Sequence, residues 1–401
     1  MTGAVIYDDT KARRNAMVLA VASALYGTTT TMQVATAGLV GIQLAPEKSW
    51  ATLPMSTFVI GTALTTLPIS LLMKRIGRRA GFILGALAGL FAALLGVYAI
   101  YQQSFGLFLL STSFMGVFQA SASYYRFAVA DMASPAFRPK AISWVMTGGV
   151  VAALFGTLLV MGTVDIFAPV TFAGNYAAMA LLALACIGVL LALDVPVAGQ
   201  KIAGAAAARP LSVIASQPRY IVAAIVGMLS YGIMMLVMTA TPVAMIGCGF
   251  TVRDSSWVIQ WHVLAMFVPS FFTGNLIARF GAERISAFGM LLLTGAAISG
   301  LMGIHFDNFA VGLILLGLGW NFGFIGGTTM LTSCYEPSER NKAQGLNDFL
   351  IFGTTALASL GAGKLLAGIG WNAVNYAVFP MVLVGLAMIG WLLTHQRTVM
   401  P

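Results

Sequence analysis

The sequence predicts an all-α membrane protein with twelve transmembrane helices in two bundles of six. Three observations predict this fold class: an apolar composition, twelve long apolar stretches, and a repeat of two polar loops. Of the 401 residues, 59% are hydrophobic and only 8% are charged, and the mean hydropathy is +0.91. Because soluble domains carry about 25% charged residues, this composition indicates a chain that lies in a lipid bilayer.

Apolar stretches long enough to cross a bilayer recur along almost the whole chain. A transmembrane helix needs about 20 mostly apolar residues to cross a hydrocarbon core of about 30 Å. The predicted spans are 15–40, 50–73, 80–101, 105–129, 141–163, 169–193, 220–243, 256–278, 285–304, 309–332, 343–363 and 373–395. The strands of outer-membrane barrels have only about 10 residues, so these spans are predicted to be helices.

The positions of the basic residues predict how the chain is oriented. If the N-terminus lies inside, seventeen of the 21 Lys and Arg residues fall in inside segments. Cytoplasmic loops are enriched in Lys and Arg, so both termini are predicted to be cytoplasmic, in a bacterial inner membrane. This topology explains the net charge of +9, and nucleic-acid binding is not predicted. No cleavable signal peptide is apparent, and the first span is predicted to remain as an anchor.

Two polar loops repeat at nearly the same distance in the sequence. LLMKRIGRR, after the second span, aligns with LIARFGAER, after the eighth, and places Arg75 opposite Arg279 and Gly77 opposite Gly281. PAFRPKA, after the fourth span, aligns with PSERNKA, after the tenth. Such a repeat predicts two duplicated six-helix bundles related by an axis along the membrane normal. The predicted domains are an N-terminal bundle, 1–193, a cytoplasmic linker, 194–219, and a C-terminal bundle, 220–401.

The first of these loops resembles the signature of the major facilitator superfamily, G-x-L-x-D-R-x-G-R-R. The matching residues in the first copy are Leu72, Arg75, Gly77, Arg78 and Arg79, and those in the second are Gly274, Leu276, Arg279 and Gly281. Lys74 and Ala278 replace the acid of the signature, which puts the usual charge relay at the cytoplasmic gate in doubt. The resemblance implies the major facilitator fold and transport by alternating access.

Two residue pairs within predicted spans are candidate metal ligands. Met234 and Met238 lie on the seventh span, and His262 and Met266 lie on the eighth. Residues four apart share a helical face, and the two pairs lie at similar depth. Thioether and imidazole ligands without carboxylates favour Cu(I). Packing is the alternative, because methionine is a common filler of membrane helices and this chain has 22.

The same four residues carry a closer resemblance, to the CcoA-type copper importers within the superfamily. It implies secondary active import of copper across the bacterial inner membrane, which supplies the assembly of cbb-type haem-copper oxidases. A sister branch carries riboflavin. The alternative function is therefore import of riboflavin or another small organic solute, with Trp, Phe and Asn residues of spans 1, 7 and 10 binding the ligand. A membrane receptor or assembly chaperone that holds copper without transporting it is a third possibility.

Further polar positions are assigned subsidiary roles. Cys248 and Met245, at the outer end of the seventh span, are candidates for accessory metal capture. The candidates for gating or coupling are Arg126, Asp131, Asp348, Arg75 and Arg279. Asn321, on the tenth span, either contacts an organic substrate or bridges helices, and bridging is favoured.

The sequence contains no features that predict an enzyme or a nucleotide-driven pump. No catalytic triad, paired carboxylates or cofactor loop is present, and there is no GxxxxGK[ST] motif. No permanently bound cofactor is predicted, and copper, with or without a small carrier molecule, is expected as the transported substrate. The chain is predicted to be a monomer whose other partner is the lipid bilayer.

Overall fold

The computed structural model describes residues 9–134, 137–194, 209–336 and 339–399. In this part of the chain every regular element is a helix. The α-helices are, in order, α1 (Asp9–Leu44), α2 (Leu53–Ile76), α3 (Arg78–Tyr101), α4 (Phe105–Ala122), α5 (Tyr125–Met132), α6 (Arg138–Thr163), α7 (Ala173–Leu190), α8 (Leu211–Ala215), α9 (Pro218–Gly247), α10 (Val252–Phe267), α11 (Ser270–Phe280), α12 (Ala282–Met302), α13 (Phe306–Thr332), α14 (Arg340–Gly368), α15 (Trp371–Tyr376) and α16 (Val378–Val399).

Ten helical segments of the described residues are long and apolar enough to cross a membrane. The bent pair α10 and α11 raises the number to eleven when it is counted as one span. Helix α1 is 36 residues long, but a run of threonines, Thr28–Thr31, lowers its hydropathy. With α1 included, the helices correspond to the twelve predicted spans, and the predicted all-α membrane fold is confirmed.

The chain divides into two compact units. Unit 1 comprises residues 1–37 and 60–200, and unit 2 comprises residues 38–59 and 201–401. The predicted domain boundaries after residues 193 and 219 stay a prediction. Residues 195–208 of the predicted linker lie outside the described residues.

Three predicted spans are each formed by two helices. The fourth consists of α4 and α5, which are separated at Ser123 and Tyr124, and the twelfth consists of α15 and α16, which are separated at Ala377. The eighth consists of α10 and α11, which meet at an angle of 43°, and Pro269 lies at the break between them. Proline has no N–H to donate and its ring clashes with the carbonyl four residues earlier, so it bends or breaks a helix.

The repeated loops adopt matching backbone conformations. Gly77, between α2 and α3, has φ 87° and ψ 157°, and Gly281, between α11 and α12, has φ 89° and ψ 150°. In each copy the glycine N–H donates to the carbonyl four residues earlier, Met73 O at 3.0 Å and Ile277 O at 2.8 Å. Only glycine adopts positive φ without strain. The repeat seen in the sequence is therefore also a repeat of backbone geometry.

Helix α13 lies at the centre of unit 2. It packs against α9, α10 and α12, and small residues allow the closest approach. A Cβ atom added to Gly289 on α12 would lie 2.6 Å from the backbone nitrogen of Gly323 on α13. Small residues let membrane helices approach until their backbones touch, so van der Waals packing holds this pair together.

An ion pair joins the segment before α8 to the segment before α14 in unit 2. The guanidinium of Arg209 donates to Glu339, with Nη2 2.6 Å from Oε2 and Nε 2.8 Å from Oε1. The Arg209 Nη2 also donates to Cys334 O, and Lys342 Nζ donates to Arg209 O. Hydrogen bonding to Arg209 lowers the pKa of Glu339 from 4.5 to about 2. The Glu339 side chain is only 2% exposed, which makes it the anchor for the segment before α8.

Replacing Glu339 with glutamine is expected to remove an acid-dependent part of the stability. The folded carboxyl stays ionised down to about pH 2, whereas in the unfolded chain it takes up a proton near pH 4.5. Its stabilisation is therefore complete above about pH 4.5 and is lost as the pH falls from there to about 2. Thermal unfolding should show a lower Tm for Glu339→Gln at neutral pH, and a smaller fall in Tm on acidification than in the wild type.

The matched control for this prediction is Glu336→Gln. Glu336 is exposed and lies three residues earlier in the same loop. Equal acid sensitivity of wild type and Glu339→Gln would contradict the assigned role.

Candidate functional site

The structure buries all four predicted metal-ligand side chains in unit 2. Met234 and Met238 lie on α9, and His262 and Met266 lie on α10. The His262 ring is fully buried, and its Nδ1 lies 2.8 Å from Leu313 O on α13. Since a carbonyl only accepts, Nδ1 carries the proton. Nε2 has no hydrogen-bond partner among the described residues.

This hydrogen bond ties His262, which lies on α10, to the neighbouring helix α13. No hydrogen bond in the described part of the chain joins the methionine pair of α9 to His262. That the two pairs lie at a similar depth and bind one metal stays a prediction. Within the same residues, no group of three or more His, Cys, Asp or Glu side chains is placed to hold a metal.

The two residues predicted to capture metal lie in different environments. Met245 is fully buried near the end of α9, whereas Cys248, directly after the helix, is exposed. Phe250 N donates to Met245 O at 3.1 Å and closes the turn between them. Their accessory role stays a prediction.

The predicted gating residues are spread over both units. In unit 1, Arg75 is exposed at the end of α2 and Arg126 is partly buried on α5, while the side chain of Asp131 lies outside the described residues. In unit 2, the guanidinium of Arg279 lies 5.2 Å from the ring centroid of Phe280. Asp348, on α14, accepts a hydrogen bond from Asn347 Nδ2 at 3.2 Å. The gating or coupling role of these five residues stays a prediction.

Asn321 on α13 holds the break between α10 and α11. Its Nδ2 donates to Met266 O and to Ser270 Oγ, each at 2.7 Å, and its Oδ1 accepts from Thr273 Oγ1 at 2.6 Å. One amide thus binds the residues before and after Pro269. In a membrane, backbone groups of a broken helix are satisfied by neighbouring helices and side chains. The favoured prediction for Asn321, a bridge between helices, is confirmed.

Five aromatic side chains form a cluster in unit 2. They are Tyr231 on α9, Phe267 at the end of α10, Trp320 and Phe324 on α13, and Phe352 on α14. Trp320 and Phe324 stack, with their centroids 5.1 Å apart and an interplanar angle of 13°. Tyr231 packs edge-on against Trp320 at 5.4 Å and against Phe324 at 5.3 Å. Phe352 and Phe267 complete the cluster, 6.3 Å from Tyr231 and 6.2 Å from Trp320.

The aromatic cluster lies midway along three helices and beside the break between α10 and α11. Tyr231, Trp320 and Phe352 are each near the middle of their helices, and Phe267 lies at the bend held by Asn321. Transporters of duplicated architecture bind substrate near the bilayer midplane, often beside a broken helix. Large aromatic faces provide stacking surfaces for flat ring systems. The sequence signal for this cluster was the spacing of Trp320 and Phe324, one helical turn apart.

Comparison with known proteins identifies transporters of one superfamily. The sequence model of the Major Facilitator Superfamily matches residues 19–259 and 223–400. The riboflavin transporter RfnT of Brucella anthropi is 46% identical over 376 residues, which are 94% of each chain. An MFS-type transporter of Bacillus subtilis, YdeG, is 30% identical over 90% of this chain and 88% of its own.

Solved structures show the same fold. The nucleoside transporter NupG superposes with a TM-score of 0.71, at 15% identity, over 94% of this chain and 98% of its own. A human organic anion transporter, TETRAN, superposes with a TM-score of 0.68, at 16% identity, over 94% and 99%.

These findings correct the predicted function. A relative identical at 46% of positions over nearly the whole length is a riboflavin transporter, so the prediction of copper import for oxidase assembly is wrong. The alternative derived from the sequence, import of riboflavin or another organic solute, is the one that the comparison favours. Metal ligation by the four buried side chains, the absence of a bound cofactor and the monomeric state stay predictions.

Proposed function

Because this chain belongs to the major facilitator superfamily, we propose that it is a secondary carrier that imports riboflavin or a closely related flavin. The observation that carries the proposal is the 46% identity to the riboflavin transporter RfnT over 94% of both chains. We further propose the bacterial cytoplasmic membrane as its location, with both termini inside, from the distribution of Lys and Arg.

The aromatic cluster of unit 2 supports a flavin substrate. The isoalloxazine ring of a flavin is a flat, three-ring system that gains free energy from stacking on aromatic side chains. Four of the five clustered rings, all except Trp320, are partly exposed. Ligand sites are mostly apolar surfaces with a few polar groups that orient the ligand, and the aromatic cluster with its buried indole N–H has this composition.

In this proposal, the methionine and histidine pairs contribute packing. Met234 and Met238 fill the interior of unit 2, and His262 ties α10 to α13 through Leu313. Methionine adapts to irregular gaps. The hydrogen bond between His262 and Leu313 satisfies the ring N–H of the histidine and the backbone carbonyl of Leu313.

The experiment is uptake of radioactive riboflavin by bacteria that cannot make riboflavin and lack their own carrier. Cells expressing the wild-type chain are expected to accumulate riboflavin and to grow on low external riboflavin. Uptake of radioactive copper, measured in parallel, is expected to equal that of cells with an empty vector. A chain that reaches the membrane in normal amount but takes up no riboflavin would refute the proposal.

A double variant, Met234→Leu with His262→Gln, is expected to keep riboflavin uptake close to the wild-type rate. Leucine conserves the volume of methionine at a cost below about 1.5 kcal/mol, and glutamine retains an N–H donor for Leu313 O. Each of the two substitutions removes a candidate metal ligand. Loss of riboflavin uptake with wild-type thermal stability would show that these side chains belong to the transport site.

A further inference from the structure

One buried donor in the aromatic cluster has no protein partner. The Trp320 side chain is only 6% exposed, and its Nε1 is buried without a hydrogen-bond partner in the described part of the chain. Native proteins pair almost all buried polar groups, because an unpaired donor loses its hydrogen bonds to water without replacement. A buried N–H without a partner therefore requires an explanation, and a bound ligand that supplies the acceptor would provide one.

The neighbouring residue cannot take the same role. Both N–H groups of the Asn321 amide are already donated, to Met266 O and to Ser270 Oγ. Asn321 therefore has no donor left for a substrate. Its bonds hold the Met266 carbonyl before the bend and the Ser270 hydroxyl after it, and thus position Phe267, whose ring lies 6.2 Å from Trp320.

The rings around Trp320 present faces in several directions. Tyr231 lies at 79° to the indole plane and Phe267 at 65°, whereas Phe324 is nearly parallel to it at 13°. A flat ligand ring stacked on Tyr231 or Phe267 would be steeply inclined to the indole. An N–H group reaches the carbonyl of such a ring without requiring the two planes to coincide.

We propose that Trp320 is a substrate-binding residue that donates its indole N–H to an acceptor on the edge of the flavin ring. This assignment rests on the proposed function. The acceptors available on the isoalloxazine edge are the two carbonyl oxygens and the ring nitrogens that carry neither a proton nor a substituent. The aromatic cluster holds the ring faces, and Trp320 recognises the ring itself independently of the ribityl chain. The substrate class is a fused, planar heteroaromatic ring that carries carbonyl groups.

The test compares flavin binding to wild type, Trp320→Phe and a control, Trp261→Phe. Trp261, on α10, is about half exposed. Binding of riboflavin and of lumiflavin, which has the same ring without the ribityl chain, is followed by flavin fluorescence with purified full-length protein in detergent. Trp320→Phe is expected to raise the Kd of both ligands by about tenfold, since one hydrogen bond contributes about that factor to affinity. Trp261→Phe is expected to bind both as the wild type does.

A closer isostere covers the case in which phenylalanine disturbs the packing. Benzothienylalanine, introduced at position 320, has the shape of tryptophan with sulfur in place of the N–H. It is expected to show the same tenfold loss with the thermal stability of the wild type.

The outcomes separate this assignment from the proposed function. If the wild type binds no flavin, both the proposed function and the assignment of Trp320 are refuted. If the wild type binds riboflavin and the benzothienylalanine protein binds it equally well, only the assignment of Trp320 is refuted. If that protein binds riboflavin more weakly but lumiflavin normally, the N–H serves the ribityl chain, and recognition of the ring is overturned.

Discussion

Replacing Gly317 with valine is expected to prevent α10 from packing on α13 and to destabilise unit 2 by about 3 kcal/mol or more. A Cβ atom at Gly317 would lie 2.6 Å from His262 O, 2.9 Å from Ala265 Cβ and 3.1 Å from Met266 N. Two of these three atoms belong to the backbone of α10, so no side-chain rotation relieves the contact. The helices must separate, which lengthens the hydrogen bond from His262 Nδ1 to Leu313 O.

The measurement is thermal unfolding of the purified variant, together with the yield of folded protein. Gly361→Val is the matched control: Gly361 lies on α14, and a Cβ atom there would meet nothing within 4 Å. Both variants carry the same loss of helix flexibility and the same added methyl groups, so a difference in Tm reports the contact with α10. Equal Tm values for the two variants would contradict the close approach of α10 and α13.

Replacing Asn321 with leucine is expected to destabilise the protein by about 2–3 kcal/mol and to abolish most of the riboflavin uptake. Leucine has the branched outline of asparagine, with two larger methyl groups in place of the amide, and it leaves Met266 O and Ser270 Oγ without their amide donors. Thr273 retains Pro269 O as a partner at 2.8 Å, so the cost falls on the residues before and directly after the break. Once α10 and α11 are no longer bound to one amide, Phe267 loses its position beside Trp320.

The control is Thr328→Leu, an exposed position on the same helix whose hydroxyl donates only to Phe324 O within its own helix. Tm and the KM and maximal rate of uptake are measured for both variants. If Asn321→Leu unfolds at the temperature of Thr328→Leu and transports riboflavin normally, the amide does not hold the bend. A fall in Tm with normal transport would show that Asn321 contributes only to stability and that the bend does not position the aromatic cluster for transport.

The fold was predictable because it depends on quantities that a sequence carries directly. The length of an apolar stretch must match the thickness of the bilayer, and backbone groups in lipid must be bonded within the helix. Gly77 and Gly281 were recognisable as a repeated pair, and both adopt positive φ with the same hydrogen bond. The break at Pro269 was missed because apolar composition continues across it and hydropathy does not register a missing N–H.

The functional prediction failed at a definite point. The spacing of Met234 with Met238 and of His262 with Met266 predicts two side chains on one face, but it does not say which neighbouring helix that face contacts. In the structure, the His262 Nδ1–H is donated to Leu313 on α13. A preference for Cu(I) follows from the types of the ligands alone, and without their mutual distances it cannot be told apart from packing.

The sequence by itself determined that this chain is a duplicated, twelve-span helical membrane protein, since burial in lipid acts on each segment separately. Only the tertiary structure decided which side chains meet. Tyr231, Phe267, Trp320 and Phe352 come from four helices, and Asn321 bonds residues more than 45 positions away along the chain. Such contacts depend on the rotation of each helix about its own axis, which close packing at residues such as Gly317 sets and which hydrophobic periodicity leaves open when a helix is apolar on every face.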